Sequence, residues 1–344
     1  MEHSQIFVAS RQRKKKSIVI LAVMLLLIII AFIVSMNSGH MKLGPITVLK
    51  TLFGYGTKQQ SIILFEFRLP RIVISMLVGA GLAVSGCILQ GISRNALADP
   101  GILGINAGAG LMVMLYISFF TTATIGSIFL VPVIALIGAG VTAALIYTLA
   151  YKKNEGISPI RLILTGIAVA AGISSVMIVL TLKLNPDKYQ MVATWLAGSI
   201  WGANWSYVLS LLPWIVILLP LAMYKAKIMN VLSLGDQMAA GLGAPIERER
   251  IILLAIAVGL SGASVAVSGG IGFVGLIGPH LAKRIVGPQH QFLIPASALV
   301  GSLLMLVSDT VGRVILQPSE IPTGIVVAVL GAPYFLYLLA KSKS

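Results

Sequence analysis

Residues 269–288 read GGIGFVGLIGPHLAKRIVGP. The stretch is apolar enough to enter a bilayer and holds six glycines by Gly287. Its last turn carries Lys283 and Arg284, which the positive-inside rule places on the cytoplasmic side. Glycine at this density lets helices approach closely and lets backbone bend where protein surrounds it. The segment therefore reads as part of a tightly packed helical membrane protein.

The rest of the chain agrees. It has 344 residues, 58% hydrophobic and only 10% charged, with a mean hydropathy of +0.99. Charged residues make up about 25% of an ordinary soluble domain. A helix needs about 20 apolar residues to cross a bilayer. Ten segments qualify, near 17–36, 70–92, 100–120, 127–151, 160–182, 207–224, 250–268, 271–287, 292–312 and 322–340. What remains is too short for a soluble domain, so residues 1–344 read as one all-α integral-membrane unit.

The net charge is +15. These are loop charges that set topology, so they do not point to nucleic acid. Residues 1–16 read as a basic cytoplasmic tail, with RQRKKK at 11–16 ahead of an apolar run too long for a signal peptide. The chain ends KSKS, and both termini are expected in the cytoplasm, which requires an even number of spans. With ten spans, 17 of the 25 basic residues fall inside. The outer minority includes Arg68, Arg71 and Arg313.

Several chemistries have no support. Glycine nowhere precedes lysine, so there is no phosphate loop and the chain is not its own ATPase. No metalloprotease or hydrolase motif occurs, and no enzyme activity is expected. His3, His40, His280 and His290 are scattered and Cys87 stands alone, so neither a metal site nor a resident cofactor is expected. No carboxylate falls at mid-span, which argues against ion coupling.

Four segments remain as functional candidates. Residues 190–206 contain Trp195, Trp201 and Trp205 in a run too short and polar to span, and read as an interfacial anchor or a short outer helix at a vestibule. Residues 228–247, between spans six and seven, read as two short cytoplasmic helices broken by Gly241 and Gly243. Their light charge and alternating apolar residues suit insertion into a partner's groove. Arg68-Leu69-Pro70-Arg71 opens span two with both arginines on one helix face, and Arg313 closes span nine. They read either as snorkelling side chains or as cations that meet an acidic partner. Asn95 to Gly101 reads as a polar turn before a small-residue packing face.

In this order the motifs resemble those of the permease subunits of binding-protein-dependent ABC importers for ferric siderophores, haem and cobalamin. The resemblance runs from Arg68 through Asn95–Gly108, Arg161–Gly166, 234–243 and 271–290 to Asp309–Arg313, Glu320–Gly324 and Leu330–Pro333. It implies a ten-helix permease of the cobalamin-permease type in the bacterial cytoplasmic membrane. Its implied partners are two ATPase subunits that bind ATP and magnesium, an extracytoplasmic binding protein, and a second permease copy or paralogue. Asp236, Gln237, Met238, Ala239, Gly241 and Gly243 would then couple to the ATPase, with Ala239 and Gly243 matching the Glu-Ala-Ala-x-x-x-Gly motif. Arg68, Arg71 and Arg313 would dock the binding protein, and Gly156, Ser158 and Pro159 would lie near the cytoplasmic gate. The implied cargo is a ferric siderophore, with cobalamin or haem as alternatives. A secondary transporter working alone is the rival of another class.

Overall fold

A computed structural model of the chain describes residues 2–39, 44–101, 104–119, 127–153, 156–317 and 319–341. In chain order the helices are α1 (Glu2–Asn37), α2 (Pro45–Leu52), α3 (Lys58–Ile62), α4 (Leu69–Ser93), α5 (Ile105–Phe119), α6 (Ser127–Ala150), α7 (Pro159–Thr181), α8 (Pro186–Leu196), α9 (Trp205–Tyr224), α10 (Ala226–Ser233), α11 (Asp236–Gly241), α12 (Ile246–Ser268), α13 (Val274–Val286), α14 (His290–Ile315) and α15 (Thr323–Lys341). Among the described residues, the only sheet is a two-residue antiparallel ribbon that pairs Tyr151–Lys152 with Gly156–Ile157.

Among the described residues, seven helical stretches are long and apolar enough to cross a membrane, and Ile105–Phe119 and Thr323–Tyr337 are shorter apolar helices. The expected span over 271–287 is α13, a helix of only 13 residues. At 1.5 Å per residue it is about 20 Å long, short of the ~30 Å hydrocarbon core. The five residues before it are not regular helix, and Phe273 sits at a φ of 66°. Such backbone survives at membrane depth only where protein covers it, and here Ile271 and Val274 are buried.

The second span also differs from expectation. Helical backbone starts at Lys58, passes through a π-helical segment Ile63–Arg68, and continues into α4. Pro70 supplies the reason. It has no N–H for the carbonyl four residues back, and the Leu69 N–H instead reaches Leu64 O, one residue further than in an α-helix. The N-terminal tail is likewise helical from Glu2 onward, continuous with the first span.

α4 is the centre of the bundle. Its most apolar window is 83% buried, against 17% in α1 and α7. Small residues make this possible. A Cβ on Gly79 would lie 2.2 Å from Gly301 O on α14, and one on Gly86 would lie 1.8 Å from Gly275 O on α13. The three helices therefore touch backbone to backbone. Hydroxyls add cross-links, with Ser85 Oγ donating to Ala257 O at 2.7 Å and Ser302 Oγ to Met76 O at 2.8 Å. The glycine-rich packing expected for 269–288 is what locks α13 against α4.

Candidate functional site

Two regions hold the residues that the sequence singled out. The first is the turn between α9 and α12. α10 buries Ala226, Met229 and Leu232, and Lys225 Nζ holds its start to Glu249 of α12 at 2.8 Å. Asp236 opens α11 and bridges two arginines, Arg94 Nη2 at 3.2 Å and Arg250 Nη2 at 2.6 Å. This ties α11 to the end of α4 and the start of α12. Ala239 is buried beneath α11.

α11 ends in a Schellman turn. Ala244 N donates to Ala239 O at 3.0 Å and Gly243 N to Ala240 O at 2.9 Å, with Gly243 at a φ of 77°. That left-handed position explains Gly243. Gly241 is ordinary helix, and a Cβ at either glycine would meet open space. The outward face of the turn is apolar: Leu234, Met238 and Leu242 are each more than half exposed, and Gln237 is exposed beside them.

The second region is the N-terminal end of α4. Arg71 Nη2 lies 2.8 Å from Asp309 Oδ1, and its Nη1 lies 2.8 Å from Glu320 Oε2. Arg313 Nε sits 3.0 Å from Asp309 Oδ2. That contact is electrostatic, because neither atom has hydrogen-bond geometry. Arg313 Nη2 also donates to Ser35 Oγ at 2.5 Å, and Arg68 Nη1 donates to Met36 O. The Asp309 side chain is fully buried (0% exposed), whereas Arg71 keeps 12% and Glu320 31%. The cluster joins α1, α4, α14 and the entry to α15.

Arg68, Arg71 and Arg313 all have partners within the chain. Asp309 and Glu320 of the same chain neutralise Arg71 and Arg313, and the carbonyl end of α1 takes up Arg68. Arg71 and Asp309 are 238 positions apart in sequence, a separation that gives no sign of pairing. The Asp309–Arg313 spacing of four residues was the one readable signal.

The remaining candidates fall as follows. Much of the 190–206 run lies on the short helix α8, which contributes Gln190, Thr194 and Trp195 to a cavity of about 490 Å³ that also meets Trp201 and Tyr207. Trp205 Nε1 donates to Phe65 O at 2.8 Å, so that indole is a strut. Gly156 closes the ribbon, Ser158 is the extended residue before α7, and Pro159 takes the first helical position. Asn95 Oδ1 accepts from Leu97 N, making the expected turn. Among the described residues, no group of three His, Cys, Asp or Glu side chains could hold a metal ion.

Long apolar helices around a glycine-packed centre, with a short two-helix turn on one face, define a polytopic helical membrane protein. Residues 26–341 match the FecCD transport family, and the chain belongs to it. It is 52% identical over 316 residues to the iron(3+)-hydroxamate import system permease protein FhuG of Bacillus subtilis (strain 168), covering 91% of this chain and 94% of that one. It is 36% identical over 314 residues to the hemin transport system permease protein HmuU of Yersinia pestis, covering 90% and 93%. Among solved structures, it resembles an inward-facing metal-chelate type ABC transporter with a TM-score of 0.82 and 32% identity over 94% of this chain and 99% of that one.

Proposed function

We propose that this multi-pass membrane protein is the permease that passes a ferric siderophore, of the hydroxamate class, across the bacterial cytoplasmic membrane. One observation carries the choice of cargo. Identity to the iron-hydroxamate permease is 52%, against 36% to the hemin permease, over nearly the same length. A chelate needs no metal ligands from the protein. Cobalamin and haem are the competing cargoes.

In this reading, residues 1–344 act as one permease unit with both termini in the cytoplasm. A second copy or paralogue completes the pathway, and two separate ATPase subunits bind ATP and magnesium. The exposed ridge of Leu234, Met238 and Leu242 supports a coupling role for Asp236 to Gly243, since an apolar ridge beside a rigid ion-paired turn suits a protein groove. The ribbon and Ser158-Pro159 entry to α7 would stiffen the cytoplasmic gate. An extracytoplasmic binding protein would meet the outer face where Arg71 and Glu320 reach the surface, so its acidic groups would compete with Glu320.

The test is uptake in cells deleted for the chain and complemented with it. Ferric hydroxamates labelled with radioactive iron should enter, whereas chelator-free iron, haem and cobalamin should not. Restored haem uptake without hydroxamate uptake would overturn the cargo.

A further inference from the structure

At the end of the molecule that carries the α11 turn, α4, α10, α13 and α14 enclose a second cavity, of about 610 Å³. Arg94, Lys283 and Arg284 line it, and no carboxylate does. Its deeper lining includes the apolar Cys87, Pro279 and Leu293, with Gln90, His280 and His290 beside them. Cys87 lies six residues before the end of α4 and Pro279 seven before the end of α13, so the cavity reaches about 9–10 Å below the helix ends. That depth spans the headgroup layer and the first part of the acyl layer.

The cations are placed differently. Arg94 is shared with Asp236. Arg284 stands over the rings of Tyr334 and Tyr337, 6.0 and 5.8 Å from their centroids. Lys283 is exposed. Ile285 and Tyr337, beside this mouth, are about half exposed, so apolar surface continues sideways from the basic rim. A basic mouth, a partly apolar floor and an apolar flank match an amphiphile with an anionic head. A soluble anion has no use for the apolar flank. Basic pockets between membrane helices on the cytoplasmic side commonly receive anionic lipid headgroups.

We infer that this cavity is a binding site for the phosphate headgroup of an anionic phospholipid, held by Lys283 and Arg284. It rests on the membrane reading of α4, α13 and α14, but on no assumption about cargo.

The full chain, purified in detergent, is titrated with dioleoyl-phosphatidylglycerol, with dioleoyl-phosphatidylcholine, and with inorganic phosphate, and bound lipid is counted by native mass spectrometry. One phosphatidylglycerol should bind at least tenfold more tightly than phosphatidylcholine. Lys283→Gln should weaken it about fivefold, and Lys283→Gln with Arg284→Gln about twenty-fivefold. Lys227→Gln, which removes an exposed charge on α10 outside the cavity, should leave affinity within twofold. Lys283 is exposed, so its single variant folds and keeps the test decisive if the double does not. Equal affinity of native chain and Lys283→Gln for phosphatidylglycerol would overturn the site. Inorganic phosphate binding as tightly as the lipid would overturn the lipid as its occupant. Because binding in detergent needs neither transport nor partners, its failure would leave the siderophore reading untouched.

Discussion

Replacing Asp309 by Asn should be the most destabilising single-atom change at the outer end of the bundle. The carboxylate is fully buried and faces two guanidiniums, Arg71 at 2.8 Å and Arg313 at 3.0 Å. The amide side chain would keep the shape and remove the charge. Two nearly buried cations would then share only Glu320, which is 31% exposed. Removing one partner of a buried ion pair costs about 3–5 kcal/mol. Glu320→Gln breaks only the rim contact and should cost no more than about 1 kcal/mol. At about 2 °C per kcal/mol for a chain of this size, the expected falls in Tm are about 6–10 °C and about 2 °C. The assay is thermal unfolding of the purified permease in one detergent. A triple variant, Arg71→Met with Asp309→Leu and Arg313→Met, should recover most of the loss, because well-packed apolar replacements of buried ion clusters are often neutral. A fall of less than about 2 °C for Asp309→Asn, or one no larger than that of Glu320→Gln, would refute the argument that this cluster is a buried framework.

The other predictions follow from close contacts and from the coupling turn. Gly86→Leu should yield no folded protein by size-exclusion chromatography, since its Cβ alone would sit 1.8 Å from Gly275 O, whereas Gly140→Ala, with nothing within 4 Å, should express normally. Gly243→Ala should destabilise the α11 turn by about 1–2 kcal/mol through its positive φ, and Gly243→Asn should cost less, as read by hydrogen exchange of the Ala244 amide. Met238→Glu with Leu242→Glu should leave Tm unchanged yet abolish uptake and co-purification of the ATPase, because both side chains point away from this chain's own core. Purified alone, the chain should hydrolyse no ATP in a phosphate-release assay.

The sequence by itself determined the class. Ten apolar segments and a biased set of loop charges follow from composition and hydropathy, which are properties of the chain before it folds. The glycines of 269–288 announced close packing, and Gly243 announced a turn, because glycine reports a backbone need wherever it is placed. Tertiary structure alone decided which backbone each glycine meets, that 271–287 holds only a 13-residue helix, and that Pro70 is absorbed by a π-helical segment rather than starting the span. It also decided the fate of the outer arginines. No local pattern links Arg71 to an acid on a helix at the far end of the chain, and a charge read singly looks free. Whether a charge is satisfied is a property of the pair, and pairs across a bundle exist only once the helices have packed.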